Sequence, residues 1–189
     1  MKKLFYLTLG LSALALGAGL RASDALVTTD WLANNLENRN VRVIEVSVEA
    51  GKYEQGHIPG AANMVWHTDL VDNPNRDIVT KENFADHLSR LGVTPETTVV
   101  LYGDHDNWFA AWGAWIFHVY GHNNVKLLDG GRRKWEAERR PMDTMTPTFR
   151  RSTYEVTEVN HELRALLPDV VSVARGEKDA VLVDIRTPD

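Results

Sequence analysis

Short apolar runs alternate with helical stretches along the middle of this chain, and that order restricts its fold more than any other feature. The runs that predict strands cover residues 41–46, 62–66, 97–102 and 125–128. They are mostly apolar throughout rather than alternating with polar residues, which indicates that both faces of each strand are buried. Strands of this kind, joined by helices, form a mostly parallel sheet with helices on both sides. The sequence therefore predicts an α/β domain, which we place at residues 26–140.

The first 25 residues have a composition of their own and predict an export signal. Two lysines precede an uncharged apolar run of 17 residues at positions 4–20, a length between those of an ordinary signal sequence and a membrane span. Ser23 and Ala25 fit the ends of a cleavage site, whereas Arg21 leaves an uncleaved membrane anchor open. We therefore expect residues 1–25 to be a signal peptide or anchor and the protein to be periplasmic or secreted.

The part of the chain after the α/β domain is predicted to begin another structural unit. Residues 141–153 are polar, carry two prolines and lack periodicity, and we interpret them as a linker. A helical stretch at 158–174, interrupted near Pro168, then precedes an apolar run at 180–185 that predicts a buried strand.

A short internal similarity indicates a tandem repeat. Residues 43–49 and 182–188 both begin with two apolar residues, an acid, an apolar residue and a polar residue, so Glu45 and Asp184 have equivalent positions. Residues 154–189 are therefore predicted to be an incomplete second copy. Because its strand has no sheet to join, we expect this segment to be poorly packed from its first residue onward.

The chain contains no cysteine and carries a formal net charge of −5. The missing thiol excludes disulfides, thiolate-bound zinc, iron–sulfur clusters and a cysteine nucleophile within these residues. An acidic chain also lacks the basic surface that nucleic acids require, so we expect no nucleic-acid partner. No dinucleotide-binding, P-loop, zinc-hydrolase or serine-hydrolase motif is present, and we expect no cofactor.

The segment from Gly56 to Ala61 lies between a one-turn helix and the next strand and predicts a tight turn. Pro59 and Gly60 fit the second and third positions of a type II turn. His57 has the chemistry of a catalytic base, but the sequence identifies no partner for it. We therefore interpret His57 as a hydrogen-bonding residue that fixes the loop.

Asp129, Gly130 and Gly131 join a strand to a helix. Two glycines at a helix start suit a phosphate, but no phosphate-binding motif surrounds them. We therefore predict a tight turn with Asp129 as the N-cap of the helix. The three basic residues at 132–134 are expected on a solvated face of that helix.

The loop after the strand at 97–102 is the best candidate for a ligand site, because ligands of open α/β sheets usually bind where a strand passes into its helix. The loop consists of Gly103, Asp104, His105, Asp106, Asn107 and Trp108. Its two aspartates disfavour an anion at the start of the following helix. A metal held by Asp104, His105 and Asp106 is a minor alternative, since neighbouring residues rarely converge on one ion without a further ligand. We predict no metal site.

Three tryptophans, Trp108, Trp112 and Trp115, recur with helical spacing after this loop. An aromatic stripe on a helix that packs against a sheet usually lies in the core. We expect Trp112 and Trp115 there, and Trp108, at the edge of the loop, near an interface.

Taken together, these segments resemble the rhodanese superfamily, specifically the tandem-domain thiosulfate sulfurtransferases. The similar pieces, in the family's order, are the strand with Glu45, the 56–61 turn, residues 66–70, the 99–108 strand and loop, residues 120–122 and the 126–135 segment. The resemblance covers residues 26–189. It implies two similar domains, each a five-stranded, mostly parallel sheet between helices, of which this chain holds the first and the start of the second.

Such enzymes transfer a sulfane sulfur from thiosulfate to cyanide or a thiol through a persulfide on a cysteine that begins the active-site loop. The resemblance implies that this cysteine belongs to the C-terminal domain and that Gly103 occupies its position here. It also implies that the N-terminal domain forms one wall of the active-site cleft. We therefore expect the non-catalytic half of an exported sulfurtransferase, inactive by itself, with the missing C-terminal domain as its partner. The intact parent would take a small anionic sulfur donor and a thiol or cyanide acceptor.

Outside the loop, we interpret the residues of these motifs and of the internal repeat as structural. They are Glu45, His57, Pro59, Gly60, Asp129, Gly130, Gly131, Asp184 and Arg186. The alternative to a sulfurtransferase half is a complete, cysteine-free rhodanese-like module that docks a partner through the 103–108 loop.

Overall fold

A five-stranded parallel sheet is the centre of the computed structural model, which describes residues 25–184. The strands are β1 (Leu26–Val27), β2 (Val41–Ser47), β3 (Ala62–Val65), β4 (Val71–Asp72), β5 (Asp77–Ile78), β6 (Thr98–Gly103) and β7 (Val125–Leu128). The sheet has the order β1-β7-β6-β2-β3, and β4 and β5 form a separate antiparallel pair. This confirms the predicted α/β fold with a parallel sheet.

Helices connect the strands and cover both faces of the sheet. They are α1 (Thr29–Ala33), α2 (Lys52–Gln55), α3 (Trp66–Asp69), α4 (Lys81–Arg90), α5 (Trp108–Val119), α6 (Gly131–Ala137) and α7 (Leu167–Ala174). Short 3-10 turns cover His105–Asn107 and His161–Leu163. Along β6, successive side chains alternate between two buried apolar clusters, as expected for a strand covered on both faces. Phe84 of α4 and Phe117 of α5 belong to the first cluster, and Leu32 of α1 and Trp135 of α6 belong to the second.

The fifth strand of the sheet is β1, which was not predicted from the sequence. β1 pairs in parallel with β7 at one edge of the sheet. Residues 180–184 are exposed and form no strand, and 185–189 lie outside the described residues. The prediction is wrong for 180–184 because an apolar run becomes a strand only beside a hydrogen-bonded neighbour. The second rhodanese copy stays a prediction.

The helix predicted at 158–174 is also shorter than expected. Residues 158–160 are not helical, His161–Leu163 is a single 3-10 turn, and only α7 is an α-helix. Pro168 lies in the first turn of α7 and does not interrupt a helix. Proline suits that position because the N–H that it lacks would have no partner within the helix.

Residues 141–153, which we interpreted as a linker, cross the domain as irregular chain. Asp143 and His57 exchange two backbone hydrogen bonds of 2.8 Å each. The backbone N–H of Ser152 donates to the carbonyl oxygen of Ser89 at 2.9 Å. The segment is therefore attached to the domain at both ends, and the domain boundary itself stays a prediction.

Packing continues past Tyr154, which corrects the expectation of a loose segment from that residue onward. Tyr154 is buried in the first apolar cluster, and its hydroxyl lies 3.0 Å from Nδ1 of His122. Nε1 of Trp115 donates to the carbonyl oxygen of Leu163 at 2.9 Å. An aromatic side chain that fills the core of the first domain does not require a second domain to be packed.

Within residues 25–184, no helix combines the length and the apolar character needed to cross a membrane. The predicted signal peptide or anchor falls almost entirely on residues 1–24, which lie outside the described part of the chain.

Limited proteolysis should trim the C-terminal end of the chain and stop near residue 164. Residues 165–184 contain no buried side chain, whereas Tyr154 is fixed in the core. Mass spectrometry of the products would locate the cleavage sites. In a Tyr154→Ala variant, we expect cleavage to advance into residues 141–163. If the protease cut the wild-type chain within residues 141–163 before it cut within residues 165–184, the result would contradict this packing.

Acidification should destabilise the domain through His122. Its Nε2 lies 3.1 Å from the carbonyl oxygen of Thr97, and burial lowers its pKa below the ordinary value of 6.5. The folded state then binds fewer protons than the unfolded state, so the free energy of unfolding falls as the pH drops below about 6.5. We expect the urea midpoint to be lower at about pH 5.5 than at about pH 7.5, and the difference to shrink in a His122→Gln variant. An unchanged difference in the variant would rule out this assignment. Burial lowers the pKa of His87 as well, so the variant should keep part of the effect.

Candidate functional site

The loop that the sequence marks as a ligand site lies where β6 ends, beside the end of β2. In the pairing of these strands, Gly103 is opposite Val46. A Cβ atom built on Gly103 would lie 2.4 Å from the carbonyl oxygen of Val46, closer than real side-chain carbons approach a backbone. Position 103 therefore has no room in this backbone for any side chain, including that of cysteine.

The two aspartates of the loop have different partners. Oδ2 of Asp104 accepts hydrogen bonds from the backbone N–H groups of Val48 and Glu49 at 3.1 and 2.9 Å, which fixes the loop to the chain after β2. Asp106 is exposed and forms an ion pair with Arg133 of α6, with 3.0 Å between Oδ1 and NH1. The loop therefore does not bring Asp104 and Asp106 together, as the metal alternative required.

Asn107 joins the loop to the end of β7. Its Oδ1 accepts from the backbone N–H of Gly103 at 3.0 Å, and its Nδ2 donates to the carbonyl oxygen of Leu128 at 2.7 Å. A Cβ atom on Gly131 would lie 2.2 Å from Oδ1 of Asn107, and Gly131 also has a positive φ of 55°. The glycine at 131 therefore leaves space for the side chain that holds the loop, rather than for a phosphate.

Three consecutive loop residues adopt the left-handed backbone conformation. His105, Asp106 and Asn107 have φ angles of 47°, 54° and 67°. This conformation costs most residues about 1–2 kcal/mol each, and asparagine, aspartate and histidine adopt it more readily than others do. The residue types of the loop therefore suit its unusual path.

A cavity of about 240 Å³ lies beside the loop. It is lined by Glu49, Lys52, Gly103, Asp104, His105, Asp106, Arg132, Arg133 and Glu136. Acidic and basic groups are mixed in this lining, so the cavity lacks the uniform positive potential that attracts an anionic substrate. Among the described residues, Glu49, Asp104 and His105 bring metal-ligand atoms within 4.8 Å of one another.

A buried network next to the cavity is centred on Glu45, and its residue Arg132 also lines the cavity. NH1 of Arg132 donates to Oε1 of Glu45 at 2.7 Å, and the hydroxyl of Tyr102 donates to Oε2 at 2.5 Å. Burial raises the pKa of Glu45, and the hydrogen bond from Tyr102 and the charge of Arg132 oppose that shift. Burial also raises the pKa of Tyr102 well above its ordinary value, so this hydroxyl remains a donor.

The expectation that Arg132 lies on a solvated helix face is wrong. Arg132 is buried, three residues before the fully buried Trp135. Residues three apart share a face of a helix, so the turn of α6 that buries Trp135 also directs Arg132 inward. There it meets the carboxylate of Glu45.

The same network holds the 56–61 segment. NH2 of Arg132 donates to the carbonyl oxygen of Gly56, and the hydroxyl of Tyr102 accepts from the backbone N–H of Ile58 at 2.9 Å. The N–H of Ala61 donates to the carbonyl oxygen of Ile58 at 2.9 Å, and Gly60 has a φ of 74°. This geometry confirms a turn with Pro59 and Gly60 at its centre, of the type II kind.

His57 is buried next to this turn, and each of its ring nitrogens lies near a backbone carbonyl oxygen. Its Nδ1 lies 3.0 Å from the carbonyl oxygen of Tyr53, and its Nε2 lies 3.3 Å from that of Met145. Its ring stacks on Tyr53 with 3.9 Å between the ring centres. His57 thus attaches the 56–61 segment to neighbouring chain, and it is not part of the described lining of the loop cavity.

Asp129 is not the N-cap of α6, contrary to the prediction. The N-cap is Gly130, and the helix begins at Gly131. Oδ2 of Asp129 instead forms an ion pair with Nζ of Lys134 at 2.6 Å. The prediction failed because the chain needs a further turn residue before the helix, which moves the carboxylate away from the helix start.

Two tryptophans of the stripe lie on the outside of α5, because Trp108 is 72% exposed and Trp112 39% exposed. The expectation of a core position is therefore wrong for Trp112, whereas Trp115 is half-buried and packs against the first apolar cluster. The inner face of α5 lies close to the sheet at Gly113, where a Cβ atom would lie 3.3 Å from the side chain of Leu101. An indole would not fit at that distance. Trp108 lies at the edge of the loop, where we expected an interface residue.

The predicted counterpart of Glu45 in the second copy differs in its surroundings. Asp184 is exposed at the end of the described chain, whereas Glu45 is fully buried. Arg186 lies outside the described residues. The equivalence of Glu45 and Asp184 therefore stays a prediction.

Comparison with known proteins identifies the family. The family model of the rhodanese-like domain matches residues 28–138. The chain belongs to the rhodanese family. The matched part of this rhodanese domain contains the 103–108 loop, the Glu45 network and four of the five strands of the sheet.

Two relatives show how much of a longer protein the chain covers. The sulfur carrier protein TtuD of Thermus thermophilus is 42% identical over 172 residues, which are 90% of this chain and 60% of TtuD. A Mycolicibacterium smegmatis protein assigned as a thiosulfate sulfurtransferase is 42% identical over 167 residues, 88% of this chain and 59% of that protein. This rhodanese chain therefore spans about 60% of the length of these relatives.

Solved structures show the same fold. SseA of Escherichia coli, described as a 3-mercaptopyruvate sulfotransferase, is similar with a TM-score of 0.72 and 21% identity over 81% of this chain and 62% of SseA. The structure of YnjE is similar with a TM-score of 0.62 and 29% identity over 71% of this chain and 34% of that one.

The sequence reasoning missed the partners of Glu45 and the contribution of Glu49 to the cavity. The sequence did contain a signal for the partners of Glu45, because an acid within a mostly apolar strand requires a buried donor or counter-charge. Arg132 could have been proposed as that counter-charge. For Glu49 the sequence had no signal, since its proximity to His105 depends on the path of the loop.

Arg132→Met should lower the free energy of unfolding by about 3–5 kcal/mol, because it leaves Glu45 buried without its counter-charge. Arg133→Met is the matched control: its ion pair with Asp106 is exposed, so we expect a change of less than about 1 kcal/mol. Urea unfolding at neutral pH measures both. An equal loss in the two variants would mean that the buried pair contributes no more to the free energy of unfolding than the exposed pair does.

Proposed function

We propose that this chain is the N-terminal, non-catalytic half of an exported thiosulfate sulfurtransferase. The observation that carries the proposal is that this member of the rhodanese family contains no cysteine. In addition, the backbone at Gly103 leaves no room for a side chain. Transfer of a sulfane sulfur through a persulfide requires a thiolate, and no other residue type can carry that intermediate. The reaction then belongs to a second domain.

The lining of the loop cavity supports the same assignment. Glu49, Asp104 and Asp106 place carboxylates around it, and these repel an anionic donor such as thiosulfate. The basic residues Arg132 and Arg133 are engaged in ion pairs with Glu45 and Asp106. A donor would accordingly bind to the catalytic domain of the parent protein and not to this loop.

The role that remains for this half is to form a wall of the active-site cleft. Trp108 is exposed at the edge of the loop, and its ring lies 5.9 Å from that of Phe109. A large exposed aromatic beside a rigid loop suits burial against another domain. The C-terminal rhodanese domain of the same chain is the proposed partner, with a thiol or cyanide as the acceptor of sulfur in the intact enzyme.

Export is the further part of this proposal. It rests on the apolar, charge-free run at residues 4–20 behind two lysines, which is typical of a signal peptide or membrane anchor. The parent would then act in the periplasm or outside the cell.

A stand-alone docking module is the competing proposal, and the exposure of Trp108 favours it equally. Both proposals predict an inactive chain. The reading frame beyond the codon for Asp189 separates them: a continuation that encodes a cysteine-containing loop supports the sulfurtransferase half, and an immediate stop codon supports the module.

The 189-residue chain should form no thiocyanate from thiosulfate and cyanide above a protein-free blank. The physical reason is the absence of a thiolate nucleophile. Measured turnover by the purified chain would overturn the proposal of a non-catalytic half.

A Gly103→Cys variant makes this test sharper. It supplies a thiol at the position that the family resemblance assigns to the nucleophile, yet its Cβ atom would collide with the carbonyl oxygen of Val46. We expect a lower melting temperature than that of the wild type and still no thiocyanate. Activity in a stably folded variant would contradict the steric argument.

A further inference from the structure

The cavity beside the loop contains a group of side chains that the sulfur chemistry does not use. Glu49, Asp104 and His105 each direct one potential ligand atom to a common region, with all three atoms within 4.8 Å of one another. Nε2 of His105 and Oε1 of Glu49 are already 3.6 Å apart. Glu49 follows β2 and His105 follows β6, so two segments of the chain converge here.

The carboxylate of Asp104 is the unusual member of this group. Its Oδ2 accepts two backbone hydrogen bonds, but its Oδ1 is buried and has no hydrogen-bond partner among the described residues. Asp104 as a whole is 6% exposed. A buried carboxylate oxygen without a partner costs free energy, and such groups are rare in folded proteins. Asp104 lines the cavity, and a cation bound through its Oδ1 would supply the missing partner.

We propose that Glu49, Asp104 and His105 bind a divalent transition-metal cation, with Zn²⁺ as the best match. One imidazole nitrogen and two carboxylate oxygens form a mixed donor set of the kind that zinc accepts, and three protein ligands leave a fourth position open to the cavity. Calcium and magnesium prefer oxygen ligands only, so the imidazole disfavours them.

The charges around the group are compatible with a cation. Arg132 is engaged by Glu45 and Glu136, and Arg133 is engaged by Asp106. The carboxylates of Glu49 and Asp104 are therefore not neutralised by these arginines. Lys52 also lines the cavity and would oppose the cation, but a lysine side chain is long and flexible enough to turn toward solvent.

Binding requires a small closure of the site. Ligand atoms at about 2.1 Å from one tetrahedral zinc ion are about 3.4 Å apart, which is closer than the 4.8 Å limit of the present arrangement. Asp104 is fixed by its two backbone hydrogen bonds. The side chains of Glu49 and His105 are 54% and 45% exposed, and they are free to make this adjustment without disturbing the core.

The site differs from the one considered from the sequence, which consisted of Asp104, His105 and Asp106. Asp106 is engaged by Arg133 and does not belong to the group whose ligand atoms converge. Glu49 takes its place. This difference supplies a matched control, because Asp106 is an acid in the same loop as the proposed ligands.

Titration of zinc chloride into the 189-residue chain tests the proposal, with isothermal calorimetry as the readout and a chromophoric chelator as competitor. We expect one zinc ion per chain. Glu49→Gln, Asp104→Asn and His105→Gln should each weaken binding at least about tenfold, the lower end of the loss known for residues that merely support metal ligands. Asp106→Asn should bind zinc as the wild type does. Magnesium chloride and calcium chloride should bind more weakly than zinc chloride.

The outcomes distinguish this site from incidental zinc binding by surface histidines. Absence of binding by the folded wild type, or undiminished binding in both the Glu49→Gln and His105→Gln variants, would overturn the proposal. A loss of zinc affinity in Asp106→Asn as large as the loss in Glu49→Gln would also overturn it. Both Glu49 and His105 are exposed, so their variants should keep the melting temperature of the apo chain, and zinc should raise that temperature only in the wild type and the control. The thiocyanate assay measures sulfur transfer, so its result does not affect the test of zinc binding.

Discussion

The ion pair between Glu45 and Arg132 connects the sheet to α6, since Glu45 lies in β2 and Arg132 in the first turn of the helix. Glu45 is a charged residue in β2, a central strand that is mostly apolar, and it is fully buried. The energetic cost of burying it is offset only if α6 is placed so that Arg132 reaches it. Through Tyr102 and the carbonyl oxygen of Gly56, the same pair also fixes β6 and the 56–61 turn.

The loop that follows β6 shows how closely strand pairing constrains the residue types of a candidate site. Asn107 and Asp104 attach the loop to the ends of neighbouring strands, so its backbone path is well defined. The contact between Gly103 and the carbonyl of Val46 then excludes a side chain at the start of the loop. Fold and activity are separable because activity depends on a few atoms at one edge of the sheet.

The strands β2, β3, β6 and β7 and the type II turn were predictable because their signals are local: mostly apolar runs for the strands, and Pro59 followed by Gly60 for the turn. β1 was not predictable, since two residues contain no periodicity and pair only because β7 is present. Trp112 was misplaced because the helical spacing of the tryptophans says nothing about how closely α5 approaches Leu101. For the candidate site, the loop could be located from the sequence, but the inward direction of Arg132 and the approach of Glu49 depend on tertiary packing.

Asp104 and Asp106 illustrate this limit most directly. They are two residues apart in one loop, yet one is buried against the chain after β2 and the other is exposed beside α6. The left-handed conformation of the residues around them turns successive side chains in different directions. The register that places Gly103 opposite Val46 brings Asp104 to the amides of Val48 and Glu49. A shift of that register by one residue would reverse which side chains face each side of the sheet. The chemistry of the cavity is therefore determined by strand pairing as much as by the residues of the loop.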